Sequence, residues 1–583
     1  MRFMHRSILY HIKHLDKKRL AYALVLAIVL SVPTLLAFHF TSPETFNKLY
    51  CTHILYNHPR FTGYVLSTLA FFIILIGTYI AFGRLPEWLN RIEKRKAPRI
   101  LPMTFTARGV LAAFLVLTIA WSPVFVAMFP GATTGYDTAN QIYQFLAPPP
   151  TFENWTGTYV DGDFINGNPI FDTIIFGSFI WIGKALGSDV LGMFLYCIVQ
   201  ALLTALLFST IACYSEKLGL PPILRFAALL AMALCPLLPN AAYTMQKDSL
   251  FSLFFTVYFL MYIEAFRTRG KALKSPRFIV AFIVIACFCC LSKQTGTYAV
   301  LASGLVMAIA LKGSRIRSAL SIVVPYAICS IMVPVLVFPA IGVWEDPDPS
   351  PIPGGAHVLL QQSITVLKKH PEAYNEEELE TLDKVIDTNK ALDKFTANKT
   401  DGVSASARST ATKEDVDAYL ALWLRVGLRD PLDYILATMR CCGGHLAPTK
   451  TYSGDIAVNQ NGLRRVEKES AGGGYELTLD IENPKVLQLF AQDGLKFYQE
   501  TLGTVPVFSL LMTTGLYGGW IPLICFATSL YFRKRDAVAL APVIVTMLLL
   551  LVIPVSLARY VVPSIYLAFP AILWALHSAI SEK

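Results

Sequence analysis

The sequence predicts an all-α polytopic membrane protein, and three observations carry that expectation. The 583 residues are 54% hydrophobic and only 15% charged, with a mean hydropathy of +0.51. The apolar excess is gathered into blocks that approach the roughly 20 residues a bilayer-spanning helix needs. Lys and Arg collect in some of the loops between the blocks and avoid others, as the sidedness of membrane insertion requires. This composition excludes an ordinary soluble enzyme. The net charge of +10 follows from basic cytoplasmic loops and calls for no nucleic acid.

The elements follow in order. Arg2, Arg6, Lys13, Lys17, Lys18 and Arg19 precede the first apolar block, Leu20–Phe40. No small-residue cleavage site follows that block, so it is expected to remain as an anchor. A second basic loop runs from Arg84 to Arg108, a third from Arg267 to Arg277, a fourth spans Lys312, Arg315 and Arg317, and a fifth is Arg533-Lys534-Arg535. Placing all five in the cytoplasm puts both termini there too. About 12 spans are expected: 20–40, 64–82, 109–129, 189–212, 223–240, 249–266, 278–291, 297–311, 319–342, 510–532, 537–557 and 561–578. Pro169–Leu186 is apolar enough to pass for another. A crossing there would move the Arg267–Arg277 loop outside, so it is read as an interfacial helix with Trp181 and Lys184 near the headgroups.

Three regions result: an N-terminal membrane module, 1–342, with interfacial helices at about 140–186; an extracytoplasmic, mostly helical α(+β) region, 343–504; and C-terminal spans in 505–583. Residues 343–500 hold 25 acidic and 17 basic residues, net −8, while the rest of the chain is +18. This region opens on a stiff proline-rich run, Glu345–Pro351. Asn375 before Glu376-Glu377-Glu378 and Asp430 before Pro431 are helix starts. Thr396–Lys413 reads as a mobile loop, Gly472-Gly473-Gly474 as a turn, and Tyr475–Ile481 as one strand.

Pro130–Pro169 contains no Lys or Arg but holds Asp137, Glu153, Asp161 and Asp163. Asp137, in Gly135-Tyr136-Asp137-Thr138, sits where a span reaches the outer face. A carboxylate there is partly desolvated yet reachable, which suits a base or a metal ligand. Parity puts Gln246-Lys247-Asp248 on the same face. Taken alone, Lys247-Asp248 is an interfacial turn with Asp248 capping the next helix. Lys293 and Arg559-Tyr560 also fall at outer span ends, where snorkelling and anchoring compete with substrate contact. Most cysteines lie in spans as small packing residues. Cys441-Cys442-Gly443-Gly444-His445 lacks the spacing of a zinc site, and His357, His370 and His445 are expected in surface or core roles.

The order of these pieces resembles membrane glycosyltransferases of the GT-C fold, such as protein mannosyltransferases and aminoarabinose transferases, and uncharacterised bacterial glycosyltransferase-like membrane proteins. The resemblance rests on Gly135-Tyr136-Asp137, Asn168-Pro169-Ile170-Phe171-Asp172, Gln246-Lys247-Asp248 and Ala558-Arg559-Tyr560-Val561-Val562-Pro563, and covers roughly 109–342 and 505–578. Asn168 stands where such enzymes often carry His or Lys. The resemblance implies a GT-C-like bundle that transfers a sugar from a polyprenyl-phosphate donor to an extracytoplasmic glycan, lipid or protein. It implies Asp137 as general base, with Asp248 assisting. Lys247, Lys293, Arg559 and Tyr560 would meet the donor phosphate, and Tyr136, Asn168 and Asp172 the acceptor or its loop. Members divide on metal dependence, so Asp137 and Asp248 are also the ligands that Mg²⁺ or Mn²⁺ would use. The alternatives are a transporter or flippase, which should place charges inside spans, and a non-catalytic polysaccharide-assembly partner.

Overall fold

The protein is seen in a computed structural model that describes residues 17, 20–29, 31, 59–93, 103–133, 136–146, 151–153, 159–161, 164–344, 357–446, 466–468, 475–477 and 505–581. It is mostly helical (82%). Among the described residues, six helices are long and apolar enough to cross a membrane: Val65–Leu85, Ala107–Ala127, Asp189–Tyr214, Lys247–Arg267, Lys312–Ala340 and Ala558–Ile580. Shorter apolar helices occupy Leu20–Val29, Pro222–Leu234, Pro276–Ser292, Gln294–Ala310, Leu516–Phe532 and Ala541–Val552. Six of the expected spans fall on these long helices; the others fall on apolar helices too short for a full crossing by length alone, and residues 30 and 32–40 of the first lie outside the described residues. The chain is a multi-pass helical membrane protein.

The helices are labelled in chain order: α1 (Leu20–Val29), α2 (Pro59–Glu93), α3 (Ala107–Ala127), α4 (Tyr136–Leu146), α5 (Ile170–Ala185), α6 (Asp189–Tyr214), α7 (Pro222–Leu234), α8 (Lys247–Arg267), α9 (Pro276–Ser292) and α10 (Gln294–Ala310). Their ends follow local chemistry. Thr106 caps α3 by accepting from the Gly109 amide, and Ser188 caps α6 by accepting from that of Leu191, which satisfies donors that a helix start leaves free. Pro334 cannot donate a backbone hydrogen bond, and the ladder around it widens into a π-helix over Ile328–Val337.

Burial ranks the long helices. In α8 and Ala558–Ile580, 72% and 78% of the spanning window is buried, against 17% for Val65–Leu85 and 11% for Lys312–Ala340. The first two are therefore the central posts, and the other two are peripheral. Trp121, Phe208, Tyr258, Tyr262, Tyr566 and Trp574 fill the core between them. Lys247 and Asp248 open one post, and Arg559 and Tyr560 open the other.

Helix α5, expected at the interface, has 16 residues, about 24 Å at 1.5 Å per residue and short of a roughly 30 Å hydrocarbon layer. Its buried face includes Ile170, Asp172, Thr173, Phe176, Gly177, Ile180 and Gly183. Gly177 admits the Phe145 ring of α4, and Gly183 admits the α6 backbone at Gly192. Trp181 and Leu186 on the other face are exposed.

Residues 357–446 form a helical region with its own apolar core, including Leu360, Ile364, Leu382, Tyr419, Leu422 and Val426. Glu376–Val385 begins on a reciprocal capping box between Asn375 and Glu378. Pro431–Cys442 starts at Pro431, but Asp430 caps it by position only, without a side-chain hydrogen bond. The loop expected to be mobile over Thr396–Lys413 is instead packed. It holds a helical turn at Asp401–Ser404, pairs Ile386 with Ala407, and docks on the C-terminal module: the Thr400 amide donates to Pro554 O at 3.1 Å, and Lys399 pairs with Val555. Its polar composition hid this because its contacts with the C-terminal module are made by backbone, while Val403 and Arg408 hold it to the rest of the region. Tyr475–Leu477 is a strand, paired antiparallel with Val466–Lys468. The proline-rich run at 345–351 and Gly472-Gly473-Gly474 lie outside the described residues.

Candidate active site

Two short parallel pairings build the site. Ala132–Thr133 lies beside Thr244–Met245, with Ala132 opposite Thr244 and Thr133 opposite Met245. This brings the starts of α4 and α8 together, and Thr138 tightens the join by donating to Met245 O at 3.1 Å. Gln200 of α6 holds the corner from behind, donating to Ala242 O at 2.8 Å and Thr244 O at 2.9 Å. Phe164–Ile165 pairs with Val343–Trp344, which ties the acidic loop to the chain leaving the π-helix.

Asp137, in the first turn of α4, then faces two cations from distant elements. Lys247 Nζ lies 3.1 Å and Arg559 Nη1 2.9 Å from Asp137 Oδ2. Lys247 also donates to Asn168 Oδ1 at 2.7 Å, so Asn168 steers the lysine that meets Asp137. Asp248, one residue on, is fully buried and paired with Lys293 from the junction of α9 and α10. Asp248 is in the first turn of α8, but Gln246 occupies the cap position, so Asp248 meets a cation instead of capping. Arg559 donates to the Tyr560 hydroxyl at 3.2 Å. Lys293 Nζ lies 5.4 Å from the Tyr560 ring centre and 5.6 Å from that of Phe251, within cation–π range. The side chains of Asp137, Lys247, Arg559 and Lys293 keep 24%, 19%, 15% and 11% of their surface exposed. The cluster is shielded but open to a ligand.

Asp172 differs from the other two carboxyls. It lies on the buried face of α5 at 0% exposure, and no protein group hydrogen-bonds either oxygen. The nearby Ser292 hydroxyl stops short of bonding geometry. Burial pushes the Asp172 carboxyl well above the ordinary carboxylate range; Lys247 pulls against that shift and Asp248 adds to it. Asp172, expected to contact the acceptor or its loop, keeps no exposed surface in this structure. Burial works against the charge of Asp137 too, but there Lys247 and Arg559 win and hold the carboxyl below its usual range. Tyr136 opens α4, and the contact expected of its side chain lies outside the described residues.

His445, expected in a surface or core role, is buried, and it sits against Tyr560 of the cluster. The turn Gly443–His445 is clamped to the C-terminal module: the Gly444 amide donates to Ser556 Oγ at 3.1 Å, and Ser556 donates to Cys441 O at 2.6 Å. This lays the buried His445 ring edge-on to Tyr560 at 6.2 Å. Burial drops the imidazole pKa to about 4, so the ring is neutral at physiological pH. The pair of glycines before His445 was the available signal, and its partners are more than 100 residues away.

Asp137 and Asp248, the two expected metal ligands, are each paired with Lys or Arg, and among the described residues no group of three or more His, Cys, Asp or Glu is placed to hold an ion. A mostly apolar cavity of about 640 Å³ is lined by Phe171, Ile174, Leu291, Tyr298, Leu301 and Val333 among others, and takes in Pro169 and Gln294, the chain neighbours of Asn168 and Lys293.

Comparison with known proteins gives one match. The sequence model described as a family of unknown function (DUF6020) matches residues 13–583, and the chain belongs to that family. No curated protein and no solved structure matches it.

Proposed function

We propose that this member of DUF6020 is a membrane glycosyltransferase, with a GT-C-like arrangement of about 12 spans, that uses a polyprenyl-phosphate-linked sugar. Residues 343–504 and the cluster would lie on the extracytoplasmic face, and both termini in the cytoplasm. The acceptor would be an envelope glycan, a lipid or a protein. One observation carries the reading: Asp137 Oδ2 sits between Lys247 and Arg559, beside a second pair, Asp248–Lys293. Four separate segments supply these groups, which is the assembly needed for a base next to a phosphate clamp.

The chemistry follows from charge. The acceptor oxygen attacks the anomeric carbon, and the bond from that carbon to the phosphate oxygen breaks. The acceptor proton passes to Asp137. The phosphate goes from a monoanionic diester to a monoester that carries more charge, and Lys247, Lys293 and Arg559 stabilise the increase. A carboxyl held below its usual range is a weak base, so the resting pairs keep Asp137 quiet. Donor phosphate oxygens compete for Lys247 and Arg559, and Asp137 regains basicity as the cations turn to the phosphate. The donor's isoprenoid would occupy the apolar cavity that takes in Pro169 and Gln294, the chain neighbours of Asn168 and Lys293.

The test is release of polyprenyl phosphate. Purified protein in nanodiscs is incubated with a panel of polyprenyl-phosphate sugars and candidate acceptors. At least one donor should be consumed by the wild type but not by Asp137→Asn. No consumption of any donor, with folded protein and a broad panel, rejects the transferase reading.

A further inference from the structure

Asp172 has no place in the scheme above, yet it lies within electrostatic reach of Lys247, Asp248 and Lys293. It occupies the first turn of α5. Toward it come Lys247 and Asp248 from α8, Ser292 and Lys293 from the end of α9, and Tyr196 from α6. From α4 come Gln141, which bonds the neighbouring Thr173 at 3.3 Å, and Asp137, which meets Lys247. A charged carboxylate at zero exposure, with neither oxygen accepting a hydrogen bond from the protein, would bear a large uncompensated desolvation cost. The neutral acid avoids it.

The protonation of Asp172 decides the charge of the whole cluster. Lys247, Lys293 and Arg559 contribute three positive charges, and Asp137 and Asp248 two negative ones. With Asp172 ionised the cluster is neutral. With Asp172 protonated it carries one positive charge in excess. We infer that Asp172 is a carboxylic acid at neutral pH, and that it makes the cluster a receptor for a monoanion, a phosphodiester, whose binding weakens as Asp172 ionises. Asp172 is a positioning residue for charge and does not touch the ligand. The identity of the anion rests on the transferase reading; the protonation of Asp172 does not.

The direction of the pH effect follows from linkage. Asp172 binds its proton more tightly in the folded protein than in water, and a bound anion tightens it further. Anion affinity is therefore complete at low pH and falls as pH rises through the folded pKa, by at most about tenfold per pH unit for one linked proton.

Two measurements test this on full-length protein in nanodiscs. Infrared difference spectra of wild type against Asp172→Asn at neutral pH should show the carbonyl stretch of a protonated carboxylic acid that the variant lacks. Calorimetric binding of a short-chain isoprenyl-phosphate sugar, a diester of constant charge, should show a wild-type Kd that rises with pH. Asp172→Asn, isosteric with the neutral acid, should keep the low-pH Kd and lose the rise. Absence of the carbonyl band, or the same pH slope in the variant, overturns the inference while the transferase reading stands. Failure of wild type to bind the diester at any pH, with the band present, overturns the transferase reading and the receptor role but leaves Asp172 protonated.

Discussion

The acidic residues at the two ends of the helix bundle are paired in different ways. At the end carrying the basic loops, the cations that pair with acids are local, although hydrogen bonds also reach these acids from farther along the chain. Glu264 is bound by Arg267 three residues away at 2.7 Å, and Asp536 by Arg533 at 3.4 Å. Ser578 donates to Asp536 Oδ2 at 3.1 Å, and the Trp574 indole donates to its backbone carbonyl at 2.8 Å. These groups close helix ends and knit neighbouring helices. At the other end the partners come from far along the chain: Asp137 with Lys247 and Arg559, Asp248 with Lys293. Buried atoms without protein partners accompany them, including both oxygens of Asp172, Asp248 Oδ2, Ser292 Oγ, Arg559 Nε and His445 Nε2. Unpartnered buried atoms occur at the basic end too, such as Arg225 Nε and Ser318 Oγ, but among the described residues the buried carboxyl oxygens without a protein partner are those of Asp172 and Asp248. Unmet bonding capacity on a buried carboxyl costs stability and is kept where a ligand uses it.

Breaking a pair at each end should expose the contrast. The largest effect is expected on catalysis: Asp137→Asn should lower transfer at least about a hundredfold through loss of the base, with protein level unchanged, read by product formation. Next is Lys293→Ala, which strands the fully buried Asp248. Truncating one partner of a buried pair costs about 3–5 kcal/mol. Thermal denaturation should show the drop, and adding Asp248→Asn should restore most of it, because the stranded charge is then gone. Gly518→Ala comes third. An added Cβ would collide with the His445 carbonyl, at a cost of about 1–3 kcal/mol, and should weaken donor binding by shifting His445 and Tyr560. Smallest is Arg533→Ala at the basic end, where a partly exposed pair contributes about 0–1 kcal/mol and transfer should be unaffected.

The acid side of the pH profile sharpens the same contrast. The folded pKa of Asp137 is depressed, so the stability from its ion pairs is present at neutral pH and lost only as pH falls through that lowered value. In the free protein, the acid limb assigned to Asp137 should therefore lie below the ordinary Asp value of about 3.9. An acid limb near neutrality would belong to another group.

Much of the site could be read in the sequence because sidedness alone ranks residues. Counting basic loops put Asp137, Lys247, Asp248, Lys293 and Arg559 at one face, and the fold brings their side chains together. Sidedness says nothing about depth, so Asp172, two residues past the α5 start, was indistinguishable from a surface acid until α4 and α6 closed over it. Nor does local pattern reveal contacts between segments far apart in the chain. His445 and the packed Thr396–Lys413 segment are held by the 550–556 loop, and no periodicity in either stretch encodes that. The helix starts divide similarly. The Asn375 capping box is a purely local signal and forms, whereas Asp248 had a tertiary partner in Lys293 that outcompeted capping.

The most direct test of the central claim separates donor binding from turnover in Asp137→Asn. If Asp137 is the base and its cations are the phosphate clamp, removing its charge frees Lys247 and Arg559. The variant should bind a polyprenyl-phosphate sugar at least as tightly as wild type, while transferring it at least about a hundredfold more slowly. Wild-type turnover, or loss of donor binding by folded variant, would contradict the account.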